Sequence, residues 1–323
     1  MNIKVGTFNL FQFVEPPYSW YIKKDKFSQE EWIKKTSWIK EQLKLMNCDV
    51  VGFQEVFSQD ALKELTKQLG YEYFYCVDTA KVSDQNKNVY ISTTVALASK
   101  YPIVNIDTLT INNEILNLFE KDNFEFSRLP IKATIKVKNK KIITYVFHLK
   151  SNRLNEYEYK FNENNTIEEK LNKIIPSLNR GNSQALEQRL MEAYHICFDV
   201  LKTIKKNKNI ILIGDLNDRQ NSLCIDVLTN KACLNINSFK KVNQYNLKED
   251  FIMYDSYEKA ETKSKREPTS FYKTIGNILD YIFVSKDIKV TKFEQFNTHL
   301  KDNKDGSLLQ SDHAQIVSTI LLN

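Results

Sequence analysis

The sequence has little of the chemistry that thiols and imidazoles provide: four histidines and five cysteines in 323 residues. Cys48, Cys76, Cys197, Cys224 and Cys233 are odd in number and lack short paired spacing, which points to neither a zinc site nor a disulfide framework. Buried, reduced thiols are the expectation. Long apolar runs are missing as well. The opening "MNIKVGTFNLF" enters a strand pattern directly, without the apolar stretch of a signal peptide, and no later run approaches a membrane span. A soluble, cytoplasmic protein is expected. No strong excess of one charge is present: 46 Lys+Arg against 40 Asp+Glu give a formal +6, which suits a polyanionic partner without demanding one. No heptad array, short repeat, oligomer signature or protein partner is legible.

What is there is an alternation of elements. "IKVGTFNL" reads as a half-buried strand, and the segment from Ser28 to Asp49 carries Trp32, Lys35, Trp38, Ile39, Leu43 and Met46 at mostly helical spacing. "DVVGFQEV" is a strand, "SQDALKELTKQLGY" a helix with Ser58 as N-cap and Gly70 as its stop, and "YEYFYCV" a strand. Residues 94 to 149 hold consecutive strand-like runs with no intervening helix, an expected antiparallel meander. Residues 150 to 182 are polar and asparagine-rich, an expected insertion or mobile loop carrying Lys150, Arg153 and Arg180. A helix follows through Leu186, Leu190, Tyr194, Cys197, Leu201 and Ile204, then "NIILIGDLND", a short helix from Ser222, a polar stretch to about residue 268, and three strands. The chain reads as one domain over 1–323, an α/β fold of two sheets with helices outside, because each sheet must cover both faces.

Polar residues stand at the ends of apolar strands: Asn9, Glu55, His148, Asp215 with Asn217, Asp280, and the pair Asp312 and His313. Buried carboxylates are costly unless they are paired or share a cation, so six such strand ends point to a metal cluster more readily than to six caps. The oxygen donors Glu55, Asp215, Asp312, Asn9 and Asn217 suit Mg²⁺ or Mn²⁺ better than Zn²⁺. Such a metal polarises a phosphoryl oxygen, and a carboxylate and amide such as Asp215 and Asn217 orient a water for in-line attack. Ser311, Asp312 and His313 stand together but do not make a hydrolase triad, since adjacent residues of an extended chain point to opposite sides. The partner of His313 must come from elsewhere. His195 and His299 receive no catalytic role.

"TFNL", "GFQEV", "SRLPI", "FHLKS", "GDLND", "ILDYIFVS" and "SDHAQI", in this order, resemble the endonuclease/exonuclease/phosphatase superfamily, which includes DNase I and the abasic-site endonucleases. The resemblance runs from Asn9 to His313. It implies a four-layer α/β/β/α sandwich with two mixed, mainly antiparallel sheets. It also implies a metal held by Glu55 with help from Asn9 and Asp312, and a water activated among Asp215 and Asn217. His148 and His313 then contact the scissile phosphate, Asp280 orients His313, and Arg128 adds a phosphate contact that its forked guanidinium suits.

The family spans nucleases, sphingomyelinases and phosphoinositide phosphatases, so the fold does not settle the substrate. Inositol-phosphate phosphatases of the family carry a Cys-Asp-Arg signature where this chain has "LDYIF", and "GDLND" is the form common in bacterial nuclease-like members. The segment "FVEPPYSWYIKKDKF" mixes Tyr18, Trp20, Tyr21 and Phe27 with Lys23, Lys24 and Lys26. That mixture suits stacking on nucleic acid with phosphate contact, insertion at a membrane interface, or packing on the first helix. The expectation is a Mg²⁺-dependent nuclease, with a sphingomyelinase-like lipid phosphodiesterase as runner-up and a non-catalytic binding module as a third class.

Overall fold

The first helix is built as its sequence dictates. Ser28 accepts a hydrogen bond from the Glu31 amide while the Glu31 carboxylate accepts from the Ser28 amide, a reciprocal cap, and Asn47 closes the helix in the left-handed region. The computed structural model describes residues 1–151, 161–179, 184–232, 251–272, 274–302 and 309–322. In chain order these form β1 (Asn2–Phe13), β2 (Ser19–Trp20), α1 (Gln29–Met46), β3 (Val50–Val56), α2 (Gln59–Lys67), β4 (Tyr73–Tyr75), β5 (Val89–Tyr90), β6 (Thr94–Ser99), β7 (Ile103–Thr108), α3 (Asn113–Leu118), β8 (Ile131–Val137) and β9 (Lys140–His148). There follow α4 (Ile167–Asn179), α5 (Gln184–Ile204), β10 (Ile210–Asp215), α6 (Leu223–Leu228), β11 (Met253–Asp255), β12 (Thr262–Lys263), β13 (Ser270–Tyr272), β14 (Ile275–Asn277), β15 (Asp280–Ser285), β16 (Lys289–Phe296) and β17 (Gln315–Leu321).

One sheet has seven strands in the order β12-β16-β17-β1-β3-β6-β4, the other six in the order β11-β15-β10-β9-β8-β7. Both are mixed: β1 with β3 and β9 with β10 are parallel, while most other pairs are antiparallel. Alternation along the strands assigns their residues to layers. Val5, Val146, Ile211, Ile213, Ile282 and Ile316 meet between the sheets. Phe8, Val51, Phe53 and Ala98 face α1 and α2 on one side, and Tyr145, Phe147, Leu212 and Phe283 face α5 and α6 on the other. The molecule is a four-layer α/β/β/α sandwich. The sheets approach closely at Gly52, where a Cβ would lie 2.9 Å from Ile213 Cγ2 and 3.0 Å from a Val146 methyl.

Several local expectations change. Ser58 makes no cap bond to α2, because its hydroxyl accepts from the Glu15 amide at 2.8 Å. Residues 94–149 are not one meander: β6 pairs with β3 and β4 in the first sheet, β7 to β9 pair in the second, and α3, capped by Asn112, stands between β7 and β8. Within the asparagine-rich stretch, Ile167–Asn179 is helical, and Arg153 and Arg180 lie outside the described residues. In the polar stretch before residue 268, Met253–Asp255 pairs with β15. Cys48, Cys76 and Cys224 are free, but Cys197 is disulfide-bonded, contrary to the expectation of reduced thiols throughout. No helix among the described residues is long and apolar enough to cross a membrane.

Candidate active site

The inter-sheet core ends at one edge in a polar row. Val146, Ile213 and Ile282 are neighbours across β9, β10 and β15; two residues along, on the same face, register places His148, Asp215 and Asp280 side by side. All three are buried. Asp215 is gripped at both oxygens: Oδ1 accepts from the Asn217 amide at 2.8 Å, and Oδ2 from Asn9 Nδ2 of the opposite sheet at 3.0 Å. Burial lifts its carboxyl to about 7 even against the attraction of His313.

His313 enters from the chain just before β17. Its Nδ1 lies 2.8 Å from Asp280 Oδ2, and its Nε2 lies 3.8 Å from Asp215 Oδ2 and 3.9 Å from Asp312 Oδ1. Burial works against its cation, but Asp280, Asp215 and Asp312 together overcome burial and raise its pKa well above the ordinary value. Ser311 is a turn residue here: its hydroxyl donates to the Asn9 carbonyl at 2.6 Å and accepts from the His313 amide at 3.0 Å. The backbone bond from Ala314 to the Thr269 carbonyl fixes the following residue.

The first sheet delivers Asn9 and Glu55 differently. Asn9 follows Val5 on the inter-sheet face, but β1 shifts register between Asn9 and Phe13, and β3 shifts between Phe53 and Val56. Glu55 has φ +58°, a conformation that costs a non-glycine residue about 1–2 kcal/mol. Regular alternation after Phe53 would send Glu55 to the helix layer; the irregularity turns it toward the cleft. There Glu55 Oε2 accepts from the Gln12 amide at 3.0 Å, and Oε1 lies 3.5 Å from Asn9 Nδ2. Asn9 Oδ1 accepts from the Phe11 amide at 3.0 Å. Asp312 Oδ1 is buried without a hydrogen-bond partner, and burial, with Glu55 adding repulsion, lifts the Asp312 carboxyl to about 6.

An orphaned carboxylate oxygen beside a second carboxylate is expensive unless a cation lies between them, so the donors of Asn9, Glu55 and Asp312 fit a hard divalent metal. Asp215, Asp280 and His313 also bring ligand-type atoms within 4.8 Å of one another. That trio suits a metal less well, because Asp280 already engages His313 and a cationic imidazole has no lone pair to offer. Lys35 of α1 is fully buried and faces the same charges: burial drives its ammonium down to about 7, while Asp312 and Glu55 pull the other way.

On the far side of Asp215, His148 Nε2 lies 2.8 Å from Asn217 Nδ2, which also donates to the Leu149 carbonyl at 3.1 Å. Asn217 has φ +48°, which asparagine tolerates. Burial, the Arg128 guanidinium and the His313 cation hold His148 well below the usual imidazole range, so it is neutral, and in this arrangement it holds the Asn217 amide. Arg128 Nη1 donates to the same Leu149 carbonyl at 3.2 Å. The structure thus brings together every residue singled out at the strand ends, with Arg128 at the border.

Two residues escape the sequence reading. Glu192 of α5 accepts from the Ser127 amide at 2.8 Å and from the Lys150 amide at 2.6 Å. Arg189 donates to the Lys150 carbonyl at 3.1 Å and to Asp218 Oδ2 at 3.3 Å. Both are 1% exposed, so one helix ties down the three loops that carry Arg128, Leu149 and Asn217. The available signal was an arginine and a glutamate three apart on the face of Leu186 and Leu190. His195 is stacked on Phe124, and His299 is bonded to the His313 carbonyl at 3.0 Å.

No curated protein matches the chain. Among solved structures it is similar to an endonuclease/exonuclease/phosphatase from Bacteroides vulgatus, at 16% identity and TM-score 0.59 with all of both chains covered. It is similar to the human Nocturnin catalytic domain with a bound sulfate anion, at 16% identity and TM-score 0.59, covering 100% of this chain and 95% of that one. It is also similar to a mannosyl-6-phosphatase of Bacteroides thetaiotaomicron, at 15% identity and TM-score 0.56, covering 99% and 100%. These likenesses establish the fold. The family model named Endonuclease/Exonuclease/phosphatase family matches residues 6–313, and with that span the chain belongs to this family of metal-dependent hydrolases of phosphoester bonds.

Proposed function

We propose that the chain is a Mg²⁺-dependent nuclease, with Mn²⁺ as a substitute metal, that hydrolyses phosphodiester bonds of nucleic acid by in-line attack of water. The observation that carries the reading is the pair of buried imidazoles flanking Asp215, one made cationic by Asp280 and one kept neutral beside Asn217. A cation and a neutral hydrogen-bonding group on opposite sides of one carboxylate provide an acid side and a base side within a single cleft. Asp215, held by Asn9 and the Asn217 amide, accepts the proton of the attacking water, and Asn217 orients that water. His313 and Arg128 face the phosphate and stabilise charge as it develops. Asn9, Glu55 and Asp312 would hold the metal, which when bound polarises a phosphoryl oxygen and offsets charge on the leaving group.

Nucleic acid is favoured as the substrate by the net charge of +6 and by the segment before α1, where Tyr21, Lys23, Lys24 and Lys26 are exposed while Trp20 and Phe27 pack inward. The test is a panel of supercoiled plasmid, single-stranded DNA, RNA, abasic duplex, sphingomyelin and an aryl phosphodiester, each with Mg²⁺ and with chelator. Cleavage of a nucleic acid only with Mg²⁺ is expected. Turnover confined to sphingomyelin would replace this reading with a lipid phosphodiesterase, and undiminished turnover in chelator would remove the metal.

A further inference from the structure

Tyr21 is an exposed aromatic residue at the border of the site. The chain before it is anchored: Ser19 and Trp20 pair with Val89 and Tyr90, and Trp20 packs on Phe27 with ring centroids 4.8 Å apart. The chain after it turns back at once, with the Trp20 amide donating to the Asp25 carbonyl at 2.9 Å. Between these anchors Tyr21 adopts φ +59° and donates its amide to the Tyr90 carbonyl at 2.7 Å. A tyrosine in that conformation costs about 1–2 kcal/mol, and the residue remains 50% exposed. What the conformation achieves is placement. The ring stands edge-on to Phe57, two residues beyond Glu55, at 5.9 Å, and its hydroxyl lies in the field of the Arg128 guanidinium and of Glu55. The loop of the first sheet thereby reaches the arginine that borders the second. Exposed Ile22 follows Tyr21 in the chain, and exposed Ile91 follows Tyr90, so the lip is apolar beside a phosphate-type cation.

We propose that Tyr21 is a specificity-determining residue: its exposed ring is the platform on which a substrate base next to the scissile phosphate stacks, and its hydroxyl positions Arg128 for that phosphate. The inference rests on the nucleic-acid reading above and adds the requirement for a base. A π-face recognises any base, so the platform selects for the presence of a base and against none in particular.

The experiment measures binding of a phosphorothioate-linked single-stranded oligonucleotide, which resists hydrolysis, and of the same oligonucleotide with abasic sites in place of its central bases, both with Mg²⁺. Tyr21→Ala is expected to weaken binding of the base-bearing strand by about 5- to 150-fold, the equivalent of about 1–3 kcal/mol for one stacked base, and to leave the abasic strand within about twofold. Tyr21→Trp restores the base-bearing strand. Tyr21→Phe binds both strands as wild type does, but lowers kcat on a cleavable strand without raising KM. Equal weakening of both strands, or no weakening, overturns the platform. If wild type cleaves nucleic acid while Tyr21→Ala discriminates nothing, only this inference fails; if wild type binds and cleaves no nucleic acid, the functional reading fails with it. The exposed side chain makes loss of folding a poor alternative, which an unchanged Tm verifies.

Discussion

At the cleft end of the six-stranded sheet, His148, Asp215 and Asp280 stand side by side in unbroken register, whereas at the same end of the seven-stranded sheet both strands slip before Glu55 can reach its neighbours. The first arrangement follows from alternation: once Ile213 packs between the sheets, Asp215 must face the same way. The second requires a residue in the left-handed region and backbone amides from Phe11 and Gln12 to hold the side chains. One sheet uses its regular geometry to place the carboxylate read as base, the neutral imidazole of His148 and the Asp280 that pairs with His313. The other places the groups read as metal donors by departing from it, and departures of this kind recur beside functional sites.

The comparison can be broken hardest where the two sides meet, at His313 and the Asp280 that the regular sheet sets against it. His313→Ala is expected to lower kcat by about 10³-fold with folding retained by circular dichroism, and Asp280→Asn by about 10²-fold. Because Asp280 favours the imidazolium, Asp280→Asn should also move the high-pH limb of the rate profile toward lower pH. An unchanged limb would show that Asp280 does not set the charge of His313.

On the irregular side the expected damage is to the metal. Glu55→Gln keeps an acceptor for the Gln12 amide and removes a charge, so calorimetric titration with Mn²⁺ should show binding weakened by about 10- to 100-fold, with Tm in chelator little changed. Equal affinity would take Glu55 out of the ligand set. Gly52→Ala tests the face that both sides share: overpacking against Ile213 and Val146 should cost about 1–3 kcal/mol in denaturant unfolding while leaving the order of substrate preference intact.

The smallest effect concerns pH without metal. The folded carboxyls of Asp215 and Asp312 sit at about 7 and about 6, above their unfolded values, so they bind protons more tightly when folded. Their contribution to stability is fully present below about pH 4, the unfolded carboxyl range, and is lost as pH rises to about 7; His313, also raised, loses its contribution as pH rises from the ordinary imidazole range through its higher folded pKa. In chelator, the Tm of wild type relative to an Asp215→Asn/Asp312→Asn double variant should therefore fall as pH rises, and Mg²⁺ should reduce the fall. A relative Tm that climbs with pH would reverse the assigned directions.

The strand ends carried most of the site openly. Asp215 after "IILIG" and Asp280 within "NILDYIFV" are acids in apolar runs, and only a shared polar site makes them tolerable. Glu192 and Arg189 were hidden because a charged pair on a helix resembles a solvated face until the neighbouring loops are seen to end on it. Lys35 was likewise placed on the helical face of Trp32 and Ile39, yet only the packing of α1 shows that its charge lies near Glu55 and Asp312. For the segment from Phe13 to Phe27 the alternatives divided by residue: Trp20 and Phe27 pack inward, and Tyr21 turns outward.

The sequence by itself determined the two sheets, their apolar faces and the strand ends at which polar residues stop the core, because side-chain period and burial cost are properties of neighbours along the chain. The contact of Asp280 with His313 across 33 positions was implied by the family resemblance and is made by the tertiary structure; tertiary structure alone decided that Glu55 turns into the cleft instead of toward α1, and that Tyr21 lies in the field of Arg128. The physical reason is shared by Glu55 and Tyr21: a bulge or a loop anchor changes the direction of a side chain, and the energy that selects that direction comes from hydrogen bonds and packing with residues far away in the chain.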